Sequence, residues 1–250
     1  MSSFADYFAP AAAAYASYRP RYPESLFAWL RSEARGQQRA WDCGTGSGQA
    51  AIGLVAQFHE VVATDPSVAQ LAHAERTDRI QYAAMTAERS AIASRSVDVI
   101  TVAQALHWFD RSAFYVESRR VLRPGGLLAV WSYALGSFGV PPLDEALRRF
   151  YSETVGPYWP AERAIIDAGF ERLEFPFREL HQPEFAMEAT WSVEHFAGYL
   201  STWSAVHRAR KATGRDPVPE FMQSVRSLWG SGPPTRVIRW PLSMRVGRVE

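Results

Sequence analysis

The sequence predicts an α/β protein built on a mainly parallel sheet with helices on both faces. Short β-branched runs alternate with amphipathic runs through the first 150 residues, which is the pattern of a parallel sheet. A glycine-rich stretch, WDCGTGSGQ at 41–49, lies between the first strand and the helix that follows it. An acidic residue ends the second strand. These observations together predict a ligand site at the carboxyl edge of the sheet.

The elements of this first part follow from the hydrophobic pattern. The run at 97–103, VDVITVA, is apolar enough to be a strand buried on both faces. RPGG at 123–126 ends an amphipathic helix in the usual way. Strands are predicted at 39–43, 60–65, 80–84, 97–103 and 127–133, and helices at 48–58, 67–75 and 109–122.

The second part of the chain has a different pattern. Apolar residues recur near period two at 170–180 and at 235–249, which predicts an antiparallel pair that closes the sheet. The tryptophan-rich stretch between them, 184–229, is predicted to be helical. We expect a single domain over 1–250: an N-terminal arm (1–30) over the bound ligand, a ligand-binding core (31–135) and a helical insertion (181–235) that caps the substrate.

Composition excludes several functional classes. With 27 Lys and Arg against 26 Asp and Glu, the formal net charge is +1, which disfavours nucleic acid as a partner. The single cysteine, Cys43, excludes an internal disulfide and a cysteine-cluster metal site, and we expect no metal. No run approaches the ~18 apolar residues of a membrane span, and no signal peptide is apparent. These features predict a cytoplasmic protein without a membrane partner.

The spacing of Gly44, Gly46 and Gly48 narrows the choice of ligand. Glycines allow a tight turn and a close approach of the backbone to a ligand at a helix N-terminus. A phosphate-binding P-loop would need a lysine after the last glycine, and none is present. A nicotinamide dinucleotide loop would carry its third glycine at position 49, where the chain has Gln49. Both of these ligand classes are therefore disfavoured.

Two acids complete the pattern around the glycines. Asp42 precedes the loop, where it suits a cationic ammonium and would repel a pyrophosphate. Asp65 ends the second strand, where a carboxylate can bind two ribose hydroxyls. The ligand should therefore carry both a nucleoside and a positive charge. S-adenosylmethionine meets both conditions.

Four stretches in the same order resemble class I S-adenosylmethionine-dependent methyltransferases. D-x-G-x-G-x-G at 42–48 resembles their motif I, Asp65 resembles their ribose-binding acid, and 97–109 and 120–131 resemble their later motifs. YASYRPRYPESLFAWL at 15–30 and QALHWFD at 104–110 are similar to the small-molecule enzymes that include trans-aconitate methyltransferases. The resemblance implies a Rossmann-like seven-stranded sheet in the order 3-2-1-4-5-7-6, with strand 7 antiparallel and a helical insertion between strands 6 and 7.

The resemblance also implies the residues that bind the cofactor. Thr86 stands where family members often carry an acid that accepts from adenine, which leaves backbone N–H groups near Ala87 as the expected contact. Tyr15, Tyr18 or Arg19 either reaches the cofactor carboxylate or belongs to a surface arm. The implied set is Tyr18, Arg19, Asp42, Gly44, Thr45, Gly46, Gly48, Asp65, Pro66, Ala87, Glu88, Ala103 and Gln104.

The implied reaction is an in-line displacement at the methyl carbon, and several alternatives stay open. His107 is either a general base or a structural histidine. Trp108, Trp131 and Tyr133 are candidate walls of the substrate site or core residues. The small-molecule acceptor is either a carboxylic acid, clamped by an arginine such as Arg19 or Arg208, or an aromatic compound that the tryptophans surround.

Three rival functions and the oligomeric state complete the sequence-based view. An amino-methylating DNA enzyme would carry Pro-Pro after the fourth strand, where this chain reads AQALHWF. A non-catalytic scaffold or sensor that binds S-adenosylmethionine is a second alternative, and a nicotinamide oxidoreductase is a third. The sequence does not determine the oligomeric state.

Overall fold

Parallel pairing joins the five strands predicted in the first half of the chain. A computed structural model describes residues 18–170, 173–230 and 233–250. Its sheet has the order β3-β2-β1-β4-β5-β8-β6, in which β8 runs antiparallel to β5 and β6, and β7 pairs with β8 outside that path. The strands are β1 Arg39–Cys43, β2 Glu60–Thr64, β3 Ile80–Ala83, β4 Val97–Ala103, β5 Leu122–Tyr133, β6 Arg178–Glu179, β7 Ala186–Ser192 and β8 Thr235–Arg248. Because β8 takes the place of the predicted seventh strand, the predicted order is confirmed.

Helices cover both faces of the sheet. Several begin at a polar side chain that accepts from the first turn: the Asp110 carboxylate accepts from the Ala113 amide at 3.1 Å, and Asp216 accepts from the Val218 amide at 3.0 Å. The helices are α1 Glu24–Glu33, α2 Gln49–Val55, α3 Val68–Ala72, α4 Arg111–Val121, α5 Pro141–Arg149, α6 Ala164–Asp167, α7 Val193–Ser201, α8 Ser204–Thr213 and α9 Pro217–Trp229. Single turns are formed by Leu106–Trp108, Phe150–Thr154, Gly156–Tyr158 and Ala161–Arg163.

The sheet separates two apolar cores. On one face, α1, α2 and the helices after β7 bury large side chains such as Leu30, Leu54 and Phe196. On the other face, α4 packs Phe114 against Trp41. Burial of each such side chain stabilises the folded state by about 1.5–3 kcal/mol relative to its exposure to water. The two cores therefore hold the helices against the sheet.

The second half of the chain corrects two predictions. Residues 184–229 were expected to be helical, but Ala186–Ser192 forms β7, paired with the first half of β8. Met187 and Trp191 are buried while Glu188 is exposed, so the segment follows the period of a strand. The predicted strand at 170–180 is reduced to Arg178–Glu179, because Pro176 has no N–H to donate to a sheet.

In the part of the chain that the structure describes, no helix is both long and apolar enough to span a bilayer.

Candidate functional site

The carboxyl ends of four strands meet at one edge of the sheet. In the register of the sheet, Cys43 at the end of β1 pairs with Thr64 of β2, and Ala103 at the end of β4 pairs with Trp131 of β5. The loops that follow these strands therefore lie side by side. In parallel α/β sheets this edge is where ligands bind, as the sequence predicted.

The glycine loop keeps one open position. Gly44, Gly46 and Gly48 have φ values of 70°, 56° and 85°, which are left-handed conformations that favour glycine. A Cβ at Gly44 would lie 2.5 Å from Ala105 Cβ, and one at Gly48 would lie 2.5 Å from the Tyr82 hydroxyl. The nearest atom to a Cβ at Gly46 is 4.0 Å away. Two of the glycines thus allow packing against protein, while Gly46 faces open space.

Asp65 anchors this loop. One carboxylate oxygen of Asp65 accepts from the Gly46 amide at 2.9 Å, and the other accepts from the Ser67 amide at 2.9 Å. The Ser67 side chain caps α3 by accepting from the Gln70 amide, and the exposed Pro66 lies between Asp65 and Ser67. The predicted ribose-binding acid therefore lies directly beside the open part of the glycine loop.

Asp42 lies beneath the loop. It is 1% exposed, and its two oxygens accept from the hydroxyls of Thr45 at 2.5 Å and Thr101 at 2.8 Å. Burial raises the pKa of Asp42 to about 6, although the threonine hydrogen bonds oppose the shift. The carboxyl thus ties the loop to β4, and its predicted contact with a ligand ammonium stays a prediction.

The residues predicted near adenine lie in the segment that follows β3. Ala87 is 5% exposed and packs in the core beside Cys43, whereas Thr86 is exposed. The Glu88 carboxylate accepts from the Asp110 amide at 3.0 Å, which joins this segment to the start of α4. Their contacts with the adenine ring remain predictions.

Gln104 has a backbone conformation that is uncommon for its residue type. Its φ is 55°, directly after the half-buried Ala103 at the end of β4. Its amide donates to the Trp131 carbonyl at 2.9 Å, and its side-chain Nε2 donates to the Tyr133 carbonyl at 2.8 Å. Strained residues held by their neighbours are typical of ligand-binding loops, and the contact of Gln104 with the cofactor stays a prediction.

A small cavity of about 70 Å³ opens beside Gln104. Arginine, histidine and aromatic side chains dominate its walls, and no Asp or Glu is among the described residues that line it. The lining residues are Arg19, Gln104, His107, Trp108, Tyr133, Ala134, Leu135, Tyr151, Trp159, Pro160, Arg163, Tyr199, Trp203 and Ser204. The structure thus brings the predicted residues His107, Trp108 and Tyr133 together in one cavity.

His107 is a neutral side chain in this cavity. Burial and, to a smaller extent, the nearby positive charge of Arg163 together lower its pKa to about 3. Its ring lies 4.6 Å from that of Trp108. A base with a pKa so far below neutrality takes up protons inefficiently at pH 7, which favours the structural alternative for His107.

The described part of the predicted arm contacts both the sheet and the helices after β7. Arg19 Nη1 donates to the Tyr133 hydroxyl at 2.9 Å, and the guanidinium lies 5.1 Å from the centre of the Tyr199 ring. Tyr18 packs against His195 of α7, with ring centres 5.0 Å apart. Tyr15 lies outside the described residues.

Trp131 lies in the core, which is the second of the two alternatives left open for it. It is 1% exposed, and its ring packs edge-on against Tyr22 at 5.4 Å and Phe27 at 6.4 Å. The side chain belongs to the core because Tyr22, before α1, and Phe27 of α1 cover it on this face of the sheet. Its role as a wall of the substrate site is therefore not supported, whereas Tyr133 does line the cavity.

Sequence reasoning missed the part of the cavity that comes from outside the sheet. Tyr151, Trp159 and Arg163 belong to the segment after α5, and none of them was singled out. The general excess of tryptophan was the available signal, since it indicated a pocket. Arg208, the alternative clamp, is not among the residues that line this cavity.

A larger cavity of about 570 Å³ opens on the other side of the glycine loop. Its walls include Ser47 and Gly48 of the loop, Gln49 of α2, and Tyr22 of the arm. Arg19 lines both this cavity and the small one. The two spaces are thus separated by a shared wall, with the glycine loop on one side and the aromatic residues on the other.

Within residues 18–170, 173–230 and 233–250, no group of three or more His, Cys, Asp or Glu side chains is placed to hold a metal ion. The site's polar groups are instead backbone amides, two carboxylates and two guanidinium groups.

Comparisons with known proteins identify relatives of this arrangement. A family model described as a methyltransferase domain matches residues 41–130. A Dictyostelium discoideum protein named as a methyltransferase is 34% identical over 227 residues, which cover 90% of this chain and 86% of that protein. The structure of a protein described as a type II methyltransferase from Anaeromyxobacter dehalogenans matches with a TM-score of 0.86 at 42% identity, covering 92% of this chain and 98% of the other.

The name of a yeast relative includes the methyl donor. The Saccharomyces cerevisiae protein CRG1, named as an S-adenosylmethionine-dependent methyltransferase, is 32% identical over 146 residues. That match covers 55% of this chain and 50% of the yeast protein.

Proposed function

Since the chain belongs to the class I S-adenosylmethionine-dependent methyltransferases, we propose that it transfers a methyl group from S-adenosylmethionine to a small-molecule acceptor by in-line displacement. One observation carries the proposal. The open position of the glycine loop, at Gly46, is hydrogen-bonded to the Asp65 carboxylate at the edge where the four parallel strands end.

The residues at this edge fit the cofactor. Gly46 leaves room for a ligand to approach the backbone, and Asp65 lies where a ribose would be bound. The buried Asp42 holds the loop in place through Thr45 and Thr101. We assign the methionine end to the side of Gln104 and Arg19, which adjoin the small cavity. When bound, the cofactor supplies a methyl group on a positively charged sulfonium, which is a good leaving group.

The protein's own contribution is alignment and exclusion of water. Gln104 is held by two hydrogen bonds to β5, so this wall of the site has one fixed geometry. Aromatic rings of Trp108, Trp159 and Trp203 line the acceptor side and exclude water from it. For a displacement that needs no covalent help from the protein, orientation of the acceptor accounts for much of the rate.

The acceptor is proposed to enter the small cavity. Tyr199 of α7, Ser204 of α8 and Trp203 between these helices line its walls, which supports a capping role for the insertion predicted at 181–235. The same walls favour a small acceptor over a macromolecule. They contain both aromatic rings and arginines, so a carboxylic acid and an aromatic compound both fit this description.

The first experiment is calorimetric titration with S-adenosylhomocysteine, with NADH as the control ligand. We expect S-adenosylhomocysteine to bind and NADH not to bind. Transfer of labelled methyl from S-adenosylmethionine to a panel of small acids and aromatic compounds then tests the reaction. Absence of S-adenosylhomocysteine binding in correctly folded protein, or binding of NADH in its place, would refute the proposal.

A further inference from the structure

We infer that the acceptor is a small planar anion whose charged end is held by Arg163, and that Arg163 determines the specificity of the acceptor cavity. This inference rests on the methyl-transfer function proposed above and narrows its acceptor. Arg163 lies outside the predicted site, at the end of the single turn formed by Ala161–Arg163, and its side chain lines the small cavity.

The guanidinium of Arg163 is held in a fixed orientation. Its Nε donates to the Tyr151 hydroxyl at 2.7 Å and lies 3.5 Å from the Asp167 carboxylate. The Tyr151 hydroxyl donates in turn to Asp167 at 2.6 Å. The guanidinium carbon Cζ lies 4.2 Å from the centre of the Trp159 ring. The contact with the Trp159 ring and the hydrogen bond from Nε together fix the position of the guanidinium. Both leave its terminal nitrogens, Nη1 and Nη2, unused.

The terminal nitrogens of Arg163 are left to a ligand. Among the residues that the structure describes, its Nη1 and Nη2 groups donate no hydrogen bond, while Nε is already used. An arginine in a cavity wall whose terminal nitrogens are not used by the protein is suited to bind a carboxylate or phosphate through two parallel hydrogen bonds. Asp167 offsets part of its charge, but that carboxylate is 42% exposed and does not line the cavity.

The charges around the cavity agree with an anionic ligand. Arg19 supplies a second guanidinium to the lining, and none of the described lining residues is acidic. Burial raises the pKa of the Tyr199 hydroxyl to about 12, and the positive charges of Arg19 and, less strongly, Arg163 oppose this shift. Two positive charges beside a neutral His107 disfavour a cationic acceptor and favour an anion.

Shape restricts the anion further. The cavity of about 70 Å³ corresponds to roughly two water volumes, which suits a carboxylate and the first atoms attached to it. Trp108, Trp159 and Trp203 offer flat walls to a conjugated or aromatic body. The acceptor is therefore planar next to its charged group.

An anionic oxygen acceptor also removes the need for a base. Its oxygen lone pair forms the new bond to the methyl carbon, while the carbon–sulfur bond breaks and its electron pair stays on sulfur. An acid that is already ionised at neutral pH loses no proton in this step. The reaction thus agrees with a site in which His107, the one histidine among the described lining residues, is a poor base.

Quenching of tryptophan fluorescence by benzoate tests the inference, with benzamide as its neutral analogue and phenyl phosphate as the alternative anion. We expect benzoate to bind the wild type and benzamide to bind at least about tenfold more weakly, because the charge-assisted hydrogen bonds are lost. Tighter binding of phenyl phosphate than of benzoate would identify phosphate as the preferred source of charge.

Variants at position 163 separate charge from fold. Arg163→Gln should weaken benzoate binding by about tenfold or more, and Arg163→Lys, which keeps the charge without the planar fork, should be intermediate. Arg148→Gln removes an equal charge from the exposed face of α5, where Arg148 pairs with Glu145, and should leave binding unchanged. Circular dichroism of each variant verifies that it is folded.

Two results would overturn the inference: equal binding of benzoate and benzamide, including failure of both to bind, or unchanged benzoate binding in Arg163→Gln. S-adenosylhomocysteine titrated into the same preparations keeps the two proposals distinct. Its binding should be the same in wild type and Arg163→Gln. If the wild type binds benzoate selectively but does not bind S-adenosylhomocysteine, methyl transfer is refuted while the anion site is still supported.

Discussion

Arg19 Nη1 donates a hydrogen bond to the Tyr133 hydroxyl at 2.9 Å and so joins the segment before α1 to the end of β5, 114 residues later. Arg19 lines both the cavity beside the glycine loop and the small aromatic cavity. This contact therefore fixes a wall that the two cavities share. Its loss should affect the arm before it affects the sheet.

Tyr133→Phe tests this contact. Removal of the hydroxyl should lower the free energy of unfolding by about 1–2 kcal/mol, because the lost hydrogen bond is partly buried and has a charged donor. We expect faster amide hydrogen exchange at Arg21 and Tyr22 and little change in β5. Tyr158→Phe is the matched control, since the Tyr158 hydroxyl has no hydrogen bond within the described residues. Equal protection of the arm in both variants would contradict the role given to Arg19.

Gly46→Ala should weaken the affinity for S-adenosylhomocysteine by about tenfold or more, the equivalent of about 1.4 kcal/mol. The added methyl group would stand in the open space that the ligand is proposed to use. Gly139→Ala is the matched control, because Gly139 has a φ of 65° and nothing within 4 Å of an added Cβ. Both variants carry a similar backbone cost of about 1–2 kcal/mol. Calorimetry should separate them, and similar affinities would count against the loop as the cofactor site.

Asp42→Asn should stabilise the protein more at pH 8 than at pH 5. The pKa of Asp42 is raised to about 6 by burial, so the folded wild type holds the proton more tightly than the unfolded chain. Its stability therefore falls as pH rises from about 4 to 6, and the difference between pH 5 and pH 8 is about 1.4 kcal/mol. Urea unfolding of both proteins at the two pH values measures it. A pH-independent effect of the substitution would be inconsistent with a shifted carboxyl.

His107→Gln should leave turnover within about threefold of the wild type, whereas loss of a general base would cost about 10²–10⁴. Because the pKa of His107 is lowered to about 3, the unfolded chain binds a proton that the folded protein does not between pH 3 and 6.5. His107 thus lowers stability as pH falls, by up to about 1.4 kcal/mol per pH unit. The variant should lose this part of the acid sensitivity in unfolding experiments from pH 4 to 7. A hundredfold loss of turnover would instead identify His107 as the base.

Gln104→Gly should be more stable than Gln104→Ala by about 1 kcal/mol, because only glycine adopts a φ near 55° without strain. Both variants lose the side-chain hydrogen bond to the Tyr133 carbonyl, so that loss cancels in the comparison. Thermal unfolding of the pair provides the measurement. If Gln104→Ala were the more stable of the two, the loop after β4 would not be strained at this residue.

The sequence by itself determined the sheet and the loop. Strands such as β4 are continuous apolar runs, and the glycines at 44, 46 and 48 permit the left-handed backbone that the loop adopts. These are local properties of the chain, so periodicity and residue type predicted them correctly. The order of strands followed from the family resemblance and was confirmed. The exception, β7, was missed because its alternation at Met187 and Trp191 was short and lay among helical segments.

Only the tertiary structure decided which side chains share the small cavity. Trp131 and Tyr133 are two positions apart on β5 and both were candidates, yet one is in the core and the other reaches Arg19. Arg163 comes from a short turn 30 residues later and had no motif to mark it. Its place depends on packing against Trp159 and on the Tyr151 hydroxyl. Contacts between segments distant in sequence set such a wall, and they leave no periodic signal in any one segment.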